Sequence, residues 1–123
     1  MLFTIRTWCY SVDSIAAIIG FICRKYNSFV HSYILPWADS DNKWLIRISI
    51  IYQLKYKKNT DIGILSKVIL KNNNSSEFFI DKAIGWALRQ YARTDSVWVC
   101  EFVNNNNLSK LSKREALKRN RSK

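Results

Sequence analysis

Apolar residues recur along the chain at three- and four-residue intervals, and strand-like alternation is nowhere sustained. In "TWCYSVDSIAAIIGFIC" (7–23) the positions Val12, Ile15, Ala16, Ile18, Ile19 and Phe21 read as the buried face of a helix. Ser11 can cap this first helix, which runs to about Tyr26. A short second helix covers 28–35 and is stopped by Pro36. "ADSDNK" is a turn whose Asp41 can cap a third helix, "KWLIRISIIYQLKYKK". Thr60 and Asp61 open a fourth, which ends in "KNNNSS". Ser76 caps a fifth, "EFFIDKAIGWALRQYAR", and Thr94 a sixth, "DSVWVCEFV", closed by "NNNN". Ser112 and Glu115 have capping-box spacing for a last helix, "SKREALKRN".

These elements predict an all-α chain, either a bundle or a stack of helix pairs. Three glycines and one proline in 123 residues fit long uninterrupted helices. An internal echo favours the stack: "LIRISII" (45–51) and "IDKAIGW" (80–86) superpose at a 35-residue offset. The offset pairs Leu45 with Ile80, Arg47 with Lys82 and Ile48 with Ala83, at a period typical of helical-repeat solenoids. The length suits one domain, residues 1–123, with a basic tail at 108–123.

The net charge of +11 points to a polyanionic partner, either nucleic acid or an acidic membrane surface. Residues 108–123 hold +6 of it, which leaves +5 on residues 1–107, so the body is basic without its tail. The apolar run Ile15–Cys23 is nine residues, far short of the roughly 20 that cross a bilayer, and no cleavage-site pattern follows. It is read as a core helix, with no membrane partner. Cys9, Cys23 and Cys100 are odd in number, widely spaced and each in an apolar stretch, which predicts buried reduced thiols in an intracellular protein. With no CxxC and a single histidine, His31, no metal site is expected.

Two charged faces stand out. In the fifth helix Ile80, Ile84, Ala87, Leu88 and Tyr91 form the core stripe, and Lys82, Trp86, Arg89 and Arg93 lie beside it at 4-3-4 spacing. A tryptophan among three cations suits nucleic acid, the cations on phosphates and the ring against sugar or base. A core tryptophan beside a solvated face fits the same pattern. The third helix is apolar almost all round and so is expected to be central; Arg47 is its only charge between Trp44 and Leu54. Arg47 reads as a stem passing the core, a phosphate clamp, or the counter-charge of an acid such as Asp13.

Asp39, Asp41, Asp61 and Asp95 sit at expected helix starts, where capping explains them. Asp13 lies inside a helical pattern. With Ser11 as cap it falls in the first turn and a dipole role stays open, yet among the acids it is the best candidate for chemistry. There is no Gly-rich phosphate loop, HExxH, GxSxG or Ser/His/Asp set. Any reaction here should need only one carboxylate and no cofactor.

"EFFIDKAIGWALRQYARTDSVWVCEFV" followed by "LSKLSKREALKRN" resembles the C-terminal part of the DNA alkylation repair proteins, HEAT-like-repeat DNA glycosylases of the AlkD type. "ILPWADSDNKWLIRISIIYQLKYKKNTD" is similar to the family's preceding helix pair, and "TWCYSVDSI" to its "SWWDTVD" segment. The resemblance runs from about Thr7 to Asn120 and covers about the C-terminal half of a typical member. It implies a HEAT-like α-solenoid truncated at its N-terminus, a monomer that needs a missing N-terminal half to complete its DNA-binding surface.

The activity so implied is removal of N3- and N7-alkylated purines from alkylated duplex DNA by hydrolysis of the N-glycosidic bond, in the cytoplasm, nucleoid or nucleus. Such lesions are cationic, so the base leaves without a general acid, and one carboxylate can stabilise the oxocarbenium-like sugar. The resemblance gives Asp13 that role, Trp86 an aromatic contact to the lesion nucleotide and Arg47 a contact to the adjoining backbone. Lys82, Arg89 and Arg93 join the DNA-binding set from the basic face alone. Cys9 stands where the family has its second tryptophan, and Tyr10 where it has aspartate. A DNA-binding relative without catalysis, or a HEAT-type protein–protein scaffold, are the alternatives.

Overall fold

The computed structural model describes residues 5–75 and 77–117, with side chains from Val12 onward. Its elements are α1 (Ile5–Lys25), a π-type turn (Val30–Ile34) running straight into the short α2 (Leu35–Ala38), α3 (Lys43–Ile51), a 3-10 turn (Lys57–Asn59), α4 (Ile62–Asn72), α5 (Phe78–Ala92), α6 (Ser96–Asn105) and α7 (Lys110–Leu117). No strand occurs among the described residues, so the all-α expectation holds.

Several boundaries differ from the expected ones, each for a local reason. The first helix begins at Ile5, since no breaker precedes Ser11, and Ser11 lies inside it. Pro36 does not stop the second helix but sits in the first turn of α2. The wider π-type turn before it, closed by Leu35 N–H donating to the Val30 carbonyl, relieves the ring of its usual clash one turn back. The third helix ends at Ile51 rather than Lys58: the Gln53 side chain holds the Asp61 backbone, accepting from its N–H at 2.7 Å, and draws the chain into a return.

Caps shift by one to three places where several capping side chains compete. Asn42, not Asp41, accepts from Trp44 N–H at 2.9 Å, and Asp95, not Thr94, accepts from Trp98 N–H at 3.0 Å. Asp61 caps α4 as expected. Asp39 ends α2 instead of starting a helix and pairs with Lys71 of α4 at 2.7 Å. Ser109 caps α7, accepting from Ser112 N–H at 3.0 Å, so the expected Ser112/Glu115 box does not form. The Ser76 cap, the side chains of Trp8, Cys9 and Tyr10, and the tail beyond Leu117 lie outside the described residues.

The helices form two layers. In the inner layer α1 packs on α3, α3 on α5 and α5 on α7; α2, α4 and α6 cover the other side. The inner helices run parallel, because Asp13 meets Arg47 while Gly20 meets Tyr52, and Asp81 meets Ser112 while Arg89 meets Glu115. This layering agrees with a stack of helix pairs. α3 is central, with Ile46, Ile48, Ile50 and Ile51 buried, and the α5 stripe of Ile80, Ile84, Ala87, Leu88 and Tyr91 is buried against it. The 35-residue echo places α3 and α5 side by side in the same layer.

Two glycines set the closest approaches. A Cβ on Gly20 would lie 2.3 Å from the Tyr52 carbonyl oxygen, and one on Gly85 would lie 2.3 Å from Glu115 Cβ. On α1, Val12, Ala16, Ile19 and Cys23 form the buried line, whereas Ile15, Ile18 and Phe21 are 46%, 61% and 66% exposed. The expected buried face is thus wider than the one the helix uses, since α1 packs chiefly on α3 alone. Cys23 is buried as expected and burial pushes its thiol up to about 11, but Cys100 is exposed: the inner side of α6 is Val99, Phe102 and Val103. No helix among the described residues is long and apolar enough to cross a membrane.

Candidate functional site

Asp13 sits well inside α1, beyond the reach of the helix's N-terminal dipole. Its partner is Arg47 on α3. Arg47 Nε donates to Asp13 Oδ1 at 3.0 Å and Nη2 to Oδ2 at 3.3 Å, a two-pronged pair that fixes the carboxylate plane. Nη1 donates to the Phe79 carbonyl at 2.7 Å, and the guanidinium lies 5.8 Å from the centre of the Trp86 ring. The Arg47 side chain is 6% exposed and that of Asp13 23%. An unpaired guanidinium so deeply covered would be costly, and the three bonds and the indole face offset that cost.

Of the readings left open for Arg47, the structure shows the counter-charge, with the side chain turned inward toward Asp13 and the Phe79 carbonyl. Asp13, by contrast, keeps an exposed edge. That edge opens on a cleft of about 640 Å³ between α1 and the end of α3, with Asp13 and Trp86 toward one end and Phe21, Arg24, Lys55 and Tyr56 toward the other. Trp86 is half-buried, neither core nor free surface.

The other cations of the expected DNA face are placed differently. Lys82 and Arg89 both turn to Glu115 of α7, at 3.8 Å and 3.5 Å, over the gap that Gly85 leaves. Glu115, buried by this contact, therefore offsets charge that the sequence pattern left free. Arg93 is exposed and lines a separate hollow of about 320 Å³ with Lys57, Gln90 and Thr94. So the structure brings Asp13, Arg47 and Trp86 together and sets Lys82, Arg89 and Arg93 apart from them.

Arg24, Lys55, Tyr56 and Phe21 are the cleft residues that sequence reasoning missed. A signal was present: Asp13, Ala17, Gly20 and Arg24 follow the same 4-3-4 spacing that singled out the fifth helix. Tyr56 anchors this end, its hydroxyl donating to the Gly20 carbonyl while the Arg24 guanidinium lies 5.4 Å from its ring centre. Burial pushes the Tyr56 phenol up to about 12, and burial likewise raises that of Tyr52, so both stay neutral. Among the described residues no three of His, Cys, Asp and Glu are grouped to hold a metal ion.

An all-α stack of parallel inner helices, with a carboxylate held by a buried arginine against an indole in a cation-rimmed cleft, is the class of protein that fold and site define. The chain belongs to the DNA alkylation repair enzyme family, whose model matches residues 1–119. It is similar to the solved structure of a predicted DNA alkylation repair enzyme from Enterococcus faecalis, at 32% identity and a TM-score of 0.85. The likeness covers 97% of this chain and 56% of that one, so this chain spans little more than half the length of that relative. No curated protein matches it in sequence.

Proposed function

We propose that the protein acts in DNA repair by excising N3- and N7-alkylated purines from duplex DNA, with Asp13 as the carboxylate that stabilises the oxocarbenium-like sugar. The observation that carries this reading is the Asp13–Arg47 pair beside Trp86, at the edge of an open cleft. The fork of Arg47 fixes the carboxylate before substrate arrives, and such preorganisation is the main source of electrostatic catalysis. Arg47 is a positioning residue in this reading. The exposed edge of Asp13 faces the sugar and can orient a water, while the Trp86 face attracts a cationic nucleotide. An alkylated purine already carries positive charge, so no second titrating group is needed, in keeping with the single carboxylate at this end of the cleft.

Family membership supports DNA as the partner, and the net charge of +11 supports affinity for it. The test is release of 7-methylguanine from a methylated duplex by the whole chain, alone and mixed with a polypeptide supplying further repeats. Release that stops with Asp13→Asn is expected. Absence of release under both conditions contradicts the reading.

A DNA-binding protein without catalysis is the second reading, favoured by one observation: both Asp13 oxygens are already engaged by Arg47. It predicts DNA binding that persists in Asp13→Asn with no excision by either protein.

A further inference from the structure

The charge that this cleft offers a polyanion does not come from the residues that looked most suited to it. Arg47 is paired with Asp13, and Lys82 and Arg89 share one carboxylate, Glu115 of α7, outside the cleft lining. Among the described residues Arg24 and Lys55 have no acidic partner, both are exposed, and both line the cleft that contains Asp13 and Trp86.

The placement of Arg24 is held by more than chance on a surface. Gly20 has no side chain, which lets the end of α3 close on α1 until the Tyr52 carbonyl touches its backbone. Tyr56 then donates its hydroxyl to the Gly20 carbonyl, and its ring packs edge-on against that of Tyr52. The Arg24 guanidinium lies against that ring, at 5.4 Å from the centre. A cation in the last turn of α1 also suits the helix dipole, as Lys25 does beside it. The dipole accounts for a positive charge at that end but not for its seat on Tyr56 inside the cleft.

We propose that Arg24 and Lys55 form a phosphate-binding arm of the cleft, which takes the phosphodiester backbone of the DNA strand whose nucleotide lies against Asp13 and Trp86. This assignment rests on reading the cleft as a DNA site. Arg24 lies eleven positions after Asp13, about 16 Å along α1, a distance that a few nucleotides of one strand cover. Phe21, between them and 66% exposed, offers an apolar face to the sugars on the way. The arm binds and positions the strand while the chemistry stays at Asp13.

The test is the salt dependence of binding by the whole chain to a fluorescein-labelled, unalkylated duplex. Variants are Arg24→Ala, Lys55→Ala, the double variant, the charge-conserving Arg24→Lys, and Lys67→Ala, an exposed lysine of α4 in the outer layer. Each single alanine should lower the slope of log affinity against log salt by about 0.9, and the double by about twice that. Arg24→Lys and Lys67→Ala should keep the wild-type slope, and circular dichroism checks that every variant is folded. A wild-type slope in the double variant overturns the arm and leaves the function above standing. So does a loss in Lys67→Ala as large as in the double. Failure of the wild-type chain to bind DNA at low salt overturns both, whereas the expected slopes without any excision leave the arm in place and remove the catalysis.

Discussion

Arg47 is the residue on which the site turns, because its charge is buried and its bonds are all internal. Removing it as Arg47→Ala strands Asp13 against an apolar wall with only part of its edge in water. Breaking such a pair costs about 3 kcal/mol, the low end of the usual range, since Asp13 keeps some hydration; urea unfolding measures it. Arg47→Lys keeps the charge but loses the fork. Under single-turnover conditions it should slow excision while leaving DNA affinity near wild type, a split that a merely structural arginine would not produce. Gly20 offers a second check at this scale. Gly20→Ala drives a methyl into the Tyr52 carbonyl and should destabilise by about 1–3 kcal/mol in the same unfolding assay. The sequence announced Asp13 as an acid out of place, but not which of several roles Arg47 would take. That choice depends on the distance between two helices, which no spacing within either one records.

Among the elements, α7 is docked on α5 through an arrangement that the sequence pattern hid. Asp81 is buried there, its Oδ1 has no partner, and Ser112 Oγ donates to its main-chain carbonyl. Burial pushes the Asp81 carboxyl up, against the hydroxyls of Ser109 and Ser75. The folded chain therefore holds this proton more tightly than the unfolded chain, and stability falls as pH rises from the ordinary carboxylate range through the raised value. Asp81→Asn removes that slope. Its melting temperature should exceed wild type at about pH 7, with the gain vanishing below about pH 4. Equal differences at both pH values would show that the Asp81 carboxyl titrates alike in the folded and unfolded chains, which would contradict the raised value. Helix identities and the α5 core stripe were legible because apolar spacing reports them directly. Cap positions were less so: in "ADSDNK" and "LSKLS" several side chains can cap, and the winner is set by how the turn enters the helix. Glu115 was read as a cap for the same reason, and its true partners, Lys82 and Arg89, are more than twenty residues away in sequence.

At the scale of the molecule, two layers of helices frame the cleft that holds Asp13 and Trp86, and the charge around it is sorted by internal pairing. Net charge pointed to a polyanion as a class of partner, but it could not say which cations are free, because each ion pair across helices cancels a charge that composition still counts. The 35-residue echo was sound for the backbone, placing α3 and α5 as neighbours. It was silent on partners: Arg47 turns back to α1, whereas its counterpart Lys82 turns forward to α7. The account therefore stands or falls on Asp13, the acid that lines the cleft beside Trp86. Its most direct test is the single-turnover rate of 7-methylguanine release, with protein in excess over a methylated duplex, for wild type and Asp13→Asn. The account predicts release by wild type, a rate at background for Asp13→Asn, and equal DNA affinity for the two. Equal rates of release from both proteins would contradict it.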